Sequence, residues 1–199
     1  MSGKLGMFTR LTVLIATGTL LAGCAVGKDA VDESAQYSFV SPGGKLTFFY
    51  DPADRKPLAD LSGQSLQQPN KTIRISDYSN EVVVVNIWGA WCADCRAEAP
   101  ELQQVYNQTK SLGVQLLGID FKDPTRSDAL DFMNDYQMNY PSIYDFAGRT
   151  LLQLNNFPRS SVPATIVLDR QHRVAAVYLE QVTAAQLLPE LQKIAAEKD

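Results

Sequence analysis

Apolar residues fall into short runs of two kinds, and their periods predict alternating strands and helices. Val82-Val83-Val84-Val85-Asn86-Ile87-Trp88 is nearly continuous and β-branched, as expected of a strand buried on both faces. Val114 to Asp120 predicts a second buried strand, and Ser142-Ile143-Tyr144-Asp145 a short extended one. Thr165 to Asp169 and Val174 to Tyr178 predict two strands joined as a hairpin by Arg170-Gln171-His172-Arg173. Helical spacing runs from Ala93 to about Ser111, from Pro124 to Tyr136 with Leu130 and Met133 inward, and from Thr183 to Ala196 with Thr183 as N-cap. Pro100 lies inside the first helix, where proline removes a hydrogen bond and usually kinks the axis. Leu151 to Asn155 suits a further short helix. The order β-α-β-α-β-β-α describes an α/β fold with a mixed central sheet flanked by helices.

The N-terminal third reads differently. Tyr37-Ser38-Phe39-Val40 and Leu46 to Tyr50, separated by Ser41-Pro42-Gly43-Gly44, predict a β-hairpin. Asp51 to Gln68 is polar and turn-rich and predicts an irregular wrap, followed by a short strand or turn at Thr72–Ile75. Ala25 to about Ala35 is small and acidic, the composition of a flexible tether. No repeat or low-complexity block is present.

The central strand runs straight into Gly89-Ala90-Trp91-Cys92-Ala93-Asp94-Cys95, at the start of the first helix. Cys92 then stands at a helix N-terminus, where unpaired N–H groups and the dipole favour a thiolate. Cys95, one turn on, is within reach for a reversible disulfide. Spacing alone also admits a zinc site, but zinc needs about four ligands. The chain otherwise holds only Cys24 and His172. Haem attachment needs a histidine after the second cysteine, and that residue is Arg96. Redox chemistry is the expectation, with an inert buried pair as its alternative. No metal site is expected, and His172, in a polar hairpin, reads as an ordinary surface residue.

The 199 residues suffice for one domain with a proper core. Lys4 and Arg10 precede an apolar stretch from Leu11 to Gly23, too short for a membrane span of ~20 residues and shaped like a secretory signal. Leu21-Ala22-Gly23-Cys24 resembles a bacterial lipobox, which implies lipidation at Cys24; the alternative is a leftover cysteine in an ordinary signal peptide. The expected organisation is a signal peptide at 1–23, a tether at 24–36 and a domain at 37–199. With Cys24 lipidated, Cys92 and Cys95 are the thiols that remain. The mature chain would carry 16 basic and 22 acidic residues, a balance that favours neither nucleic acid nor an anionic membrane surface. Anchoring to a bacterial membrane, outside the cytoplasm, would come from the lipid.

Residues from about Val82 to Ala195 resemble a thioredoxin-like fold, and more closely the TlpA/ResA-like thiol–disulfide oxidoreductases. The resemblance is carried by Val84 to Cys92, by Cys95-Arg96-Ala97-Glu98-Ala99-Pro100 and by Ser161-Val162-Pro163-Ala164-Thr165. The helix-and-strand block between Asp120 and Gly148 matches that branch's insertion. The resemblance implies that Cys92 attacks a substrate disulfide, Cys95 resolves the mixed disulfide, and Glu98 handles a proton. It implies a cis bond at Val162–Pro163 facing the disulfide, and Trp91 as a docking surface. Trp88 is expected in the core.

The implied partners are protein disulfide or dithiol substrates, such as apocytochrome c, and a membrane thiol transporter as electron donor. No cofactor beyond the disulfide is implied. Two departures matter. Asn86 stands where thioredoxins carry a buried aspartate, and Asp94 stands where the family often has proline. An acid beside the thiols disfavours thiolate, which leans the reading toward a reductant. A disulfide-forming oxidase or isomerase is the enzymatic alternative. A non-catalytic metal carrier or assembly lipoprotein is the alternative of another class, although Met133 and Met138 suit core packing better than a copper site.

Overall fold

Strand β4 (Val82–Trp88) is buried along its whole length, and the other elements are arranged around it. In the computed structural model, residues 36–40 and 42–197 are described; the predicted signal segment, Cys24 and the tether up to residue 35 lie outside them. β4 pairs in parallel with β5 (Val114–Phe121), which pairs in parallel with β6 (Ser142–Asp145). On its other edge β4 pairs antiparallel with β7 (Ala164–Leu168), which pairs with β8 (Val174–Tyr178) and then β1 (Thr47–Phe49). The sheet order is β1-β8-β7-β4-β5-β6.

The sheet faces differ. Val82, Val84 and Trp88 pack under α1 (Ala93–Thr109), α2 (Arg126–Asp135) and α3 (Ala184–Ala195). Trp88 is fully buried and stacks on Phe132, with ring centroids 5.0 Å apart. Val83, Val85 and Ile87 face a second core, closed by Tyr37, Phe39, Leu61, Ile73 and Ile75 from the N-terminal segment and by Leu151, Leu154 and Phe157. α1 continues through Pro100. Thr183 and Gln186 form a reciprocal capping box at the start of α3.

The predicted N-terminal hairpin does not form. Thr47–Phe49 adds to the outer edge of β8, while Ser38 bridges Asn155 and Tyr37 N–H donates to Pro57. An isolated two-stranded hairpin is marginal in water. Separation instead gives β1 a sheet edge and lets Tyr37 and Phe39 bury their rings against Tyr50 and Phe157. Within the predicted wrap lies a strand, β2 (Ser62–Gln64), paired antiparallel with β3 (Thr72–Arg74). A Cβ at Gly63 would collide with Ile143, so glycine permits β2 to lie close against β6. Arg55 ties this segment to the rest, its guanidinium lying 3.3 Å from Asp169 and 2.5 Å from Glu197.

If Phe39 seals the second core, Phe39→Ala should lower unfolding free energy by about 3–5 kcal/mol, measured by urea denaturation. A change below about 1 kcal/mol would show the segment to be dispensable decoration.

Candidate active site

Where β4 ends, Gly89 to Trp91 turn the chain into α1, and Cys92 is the N-cap. Its Sγ accepts the Cys95 backbone N–H at 3.1 Å, in a position where an anion at Sγ gains from the helix dipole. The two cysteines are joined as a disulfide with their Cα atoms 5.2 Å apart. Cys92 is the more exposed partner, at 5% against 2% for Cys95. Asp94, in the first turn, is exposed, and the Arg96 guanidinium donates to the Ala90 carbonyl at 2.8 Å.

The loop before β7 closes the site from the other side. Val162–Pro163 is a cis peptide, and the Val162 carbonyl oxygen stands 3.8 Å from Cys92 Sγ. Its backbone is thus presented beside the disulfide. Trp91 is half-exposed, and its indole N–H donates to the Phe121 carbonyl at 2.8 Å. A Cβ at Gly89 would strike this indole, so the tryptophan keeps its pose only over glycine.

Glu98 is buried beneath the site. One carboxylate oxygen accepts from Asn86 Nδ2 and the other from Val182 N–H, each at 2.9 Å. Asn86 Nδ2 also donates to Thr165 Oγ at 3.2 Å, linking β4, α1 and β7. Burial raises the Glu98 carboxyl to about 7, with Asp94 adding to the rise; the bonds from Val182 and Asn86 oppose it without cancelling it. Glu98 is therefore divided between acid and carboxylate near neutrality, the condition for giving and taking a proton.

Five of the residues singled out in the sequence thus converge: Trp91, Cys92, Cys95, Val162 and Pro163, with Glu98 one turn beyond Cys95. Cys24 lies outside the described residues. Met133 and Met138 are buried in the core. His172 is partly exposed, with a ring nitrogen 3.1 Å from the Tyr78 carbonyl. Among the described residues no cluster of three or more metal-binding side chains occurs. Sequence reasoning missed Asn86 as the partner of Glu98, and missed two buried acids, Asp120 and Asp123. The available signal was an aspartate inside the apolar run Leu116-Leu117-Gly118-Ile119-Asp120-Phe121, since buried acids are rare without partners.

Proteins of known structure share this fold. A secreted thiol-disulfide isomerase from Corynebacterium glutamicum is 42% identical, with a TM-score of 0.79 over 81% of this chain and 99% of its own. A DsbF homologue from Corynebacterium diphtheriae is 41% identical, with a TM-score of 0.75 over 79% of this chain and 99% of its own. Among curated proteins, the thiol:disulfide interchange protein DsbE of Pseudomonas aeruginosa is 31% identical over 149 residues, 72% of this chain and 78% of that protein. The thiol-disulfide oxidoreductase ResA of Bacillus anthracis is 27% identical over 124 residues, 62% of this chain and 69% of that protein. Residues 55–177 match the AhpC/TSA family. With its mixed sheet, its cysteine pair and these relatives, the chain belongs to the AhpC/TSA family, among the thioredoxin-like thiol–disulfide oxidoreductases of DsbE and ResA type.

Proposed function

We propose that this oxidoreductase is exported, anchored to a bacterial membrane by a lipid on Cys24, and reduces disulfides in extracytoplasmic proteins such as apocytochrome c. The observation that carries the reading is the Cys92–Cys95 disulfide at the start of α1, facing the cis Val162–Pro163 backbone and underlain by the titrating Glu98. Residues 1–23 act as the signal, 24–36 as the tether and 37–199 as the catalytic domain. In the reaction, the Cys92 thiolate attacks a substrate disulfide and forms a mixed disulfide. Glu98 takes the Cys95 proton; the Cys95 thiolate attacks Cys92 Sγ, and the substrate leaves with two electrons. The Cys92–Cys95 disulfide is then reduced by a membrane dithiol donor. Trp91 and the Val162–Pro163 backbone hold the polypeptide during exchange. The charge of Asp94 disfavours the thiolate and supports the reducing direction. The similarity to the Corynebacterium glutamicum protein, a secreted thiol-disulfide isomerase, favours a second reading as an isomerase or oxidase.

The reduction potential separates the readings. Equilibration with dithiothreitol should give a value near that of thioredoxin, about −270 mV, whereas about −120 mV would assign an oxidant. If Glu98 accepts the Cys95 proton, resolution of the mixed disulfide should accelerate as pH rises through about 7. Glu98→Gln should remove that inflection and slow resolution on the order of a hundredfold; an unchanged stopped-flow pH profile would exclude the role. Cys24→Ala should move the protein from the membrane fraction to the soluble extracytoplasmic fraction, and retention on the membrane would refute the lipid anchor.

A further inference from the structure

Asp120, near the end of β5, is fully buried, yet no N–H or hydroxyl among the described residues reaches either oxygen of its carboxyl group. An ionised carboxylate there would be desolvated without any donor in return. Its neighbour is a second carboxyl group, that of Asp123, whose proximity adds to burial in raising the Asp120 carboxyl. Two carboxyl groups attract only when one holds a proton and donates it to the other. Asp123 is already engaged as an acceptor, since its Oδ2 takes the Ala90 N–H at 2.7 Å, a bond strengthened by negative charge. The proton therefore belongs on Asp120.

The surrounding charges agree. Asp120 meets Asp123 from the following loop, Asp145 and Tyr144 from β6, and Arg126 from α2. Arg126 is occupied elsewhere: it donates to the Ser65 and Leu66 carbonyls and to Gln64 Oε1, and it lies over the Tyr144 ring. Burial and the adjacent acids push the Asp120 carboxyl up to about 9 despite that guanidinium.

We propose that Asp120 and Asp123 share one proton across a carboxyl–carboxylate hydrogen bond, and that this pair sets the position of Cys92 by holding the Ala90 amide. The loop between β5 and α2 grips the two residues before Cys92 at separate points, Ala90 through Asp123 and Trp91 through the Phe121 carbonyl. Tyr144 steadies the same loop by donating its hydroxyl to the Asp123 carbonyl at 3.1 Å. Asp120 is thus a positioning residue, acting through Asp123 and Ala90. Its consequence at Cys92 rests on the oxidoreductase reading; the shared proton does not.

Infrared spectroscopy tests the proton directly. In a Glu98→Gln background, which removes the other buried acid with a raised titration, the carbonyl stretch of a protonated carboxylic acid should be present at pH 7. It should vanish in the double variant with Asp120→Asn and titrate away as pH passes about 9. No such band, or one that survives Asp120→Asn, overturns the shared proton. Positioning is read from the alkylation rate of reduced Cys92 across pH. Asp123→Ala and Asp120→Ala should each shift that rate by about tenfold, the weight of one charge-assisted hydrogen bond. Asp120→Asn, whose amide still donates to Asp123, should stay near wild type. Wild-type rates in both alanine variants would overturn the positioning role. Asp120→Asn is isosteric with the neutral acid, so the infrared test decides even if Asp123→Ala does not fold. A protein that shows the band and responds at Cys92 yet exchanges no disulfide would remove the oxidoreductase reading and leave the pair standing.

Discussion

Because β4 is paired on both edges and covered on both faces, the amide of Asn86 has no water to bond and must be satisfied within the protein. A buried amide left unpaired costs about 1–3 kcal/mol, a large share of the stability of a small domain. The bonds to Glu98 and Thr165 meet that demand, and they do more than fill valences. Anchoring Glu98 to β4 sets the rotation of α1 about its own axis. With that rotation set, Cys95 stands one turn earlier on nearly the same side and Cys92 becomes the N-cap. The geometry of the disulfide follows from how the central strand is satisfied.

Four acids surround the start of α1: Asp94, Glu98, Asp120 and Asp123. Counted as charges, they would oppose any thiolate. Burial changes the count. Two unit charges about 4 Å apart interact by about 1 kcal/mol in water and by about 4 kcal/mol at an effective dielectric of 20. The exposed Asp94 therefore weighs less than a buried carboxylate, and the protonation of Glu98 and Asp120 matters more than their number. Both carboxyls are raised, so near neutrality the site is less negative than the sequence suggests.

Much of this was legible in the sequence, for identifiable reasons. The β-branched run at Val82–Trp88 permits little except a buried strand, and Thr183 with Gln186 marks a helix start by local bonding alone. The cysteine pair and Val162–Pro163 were legible as motifs, although their approach to each other is made only by the pairing of β7 with β4. The N-terminal segment was not legible, because its partners are remote. Thr47–Phe49 answers to β8, and Ser62–Gln64 answers to β3 and to the side chain of Ile143, none of which local periodicity encodes. The pairing of Asp120 with Asp123 was hidden for a related reason: the two lie three residues apart, but a strand end followed by a loop turns both toward one point.

The neutral Asn86 also bears on the proposed reaction. Ionising Cys95 in isolation would create a buried anion, at a cost of several kcal/mol. Passing its proton to a Glu98 carboxylate instead exchanges one buried anion for another, so the net charge of the interior does not change. The exchange requires a carboxyl whose affinity for a proton lies near that of its surroundings at neutral pH, and burial supplies this at Glu98. A second acid at position 86 would face Glu98 across the 2.9 Å now spanned by an amide N–H. Two carboxyls that close cannot both be charged, and Glu98 would lose the bond that holds it in place. An amide at 86 keeps a donor on Glu98 in both of its states, leaving the Glu98 carboxylate free to take the proton.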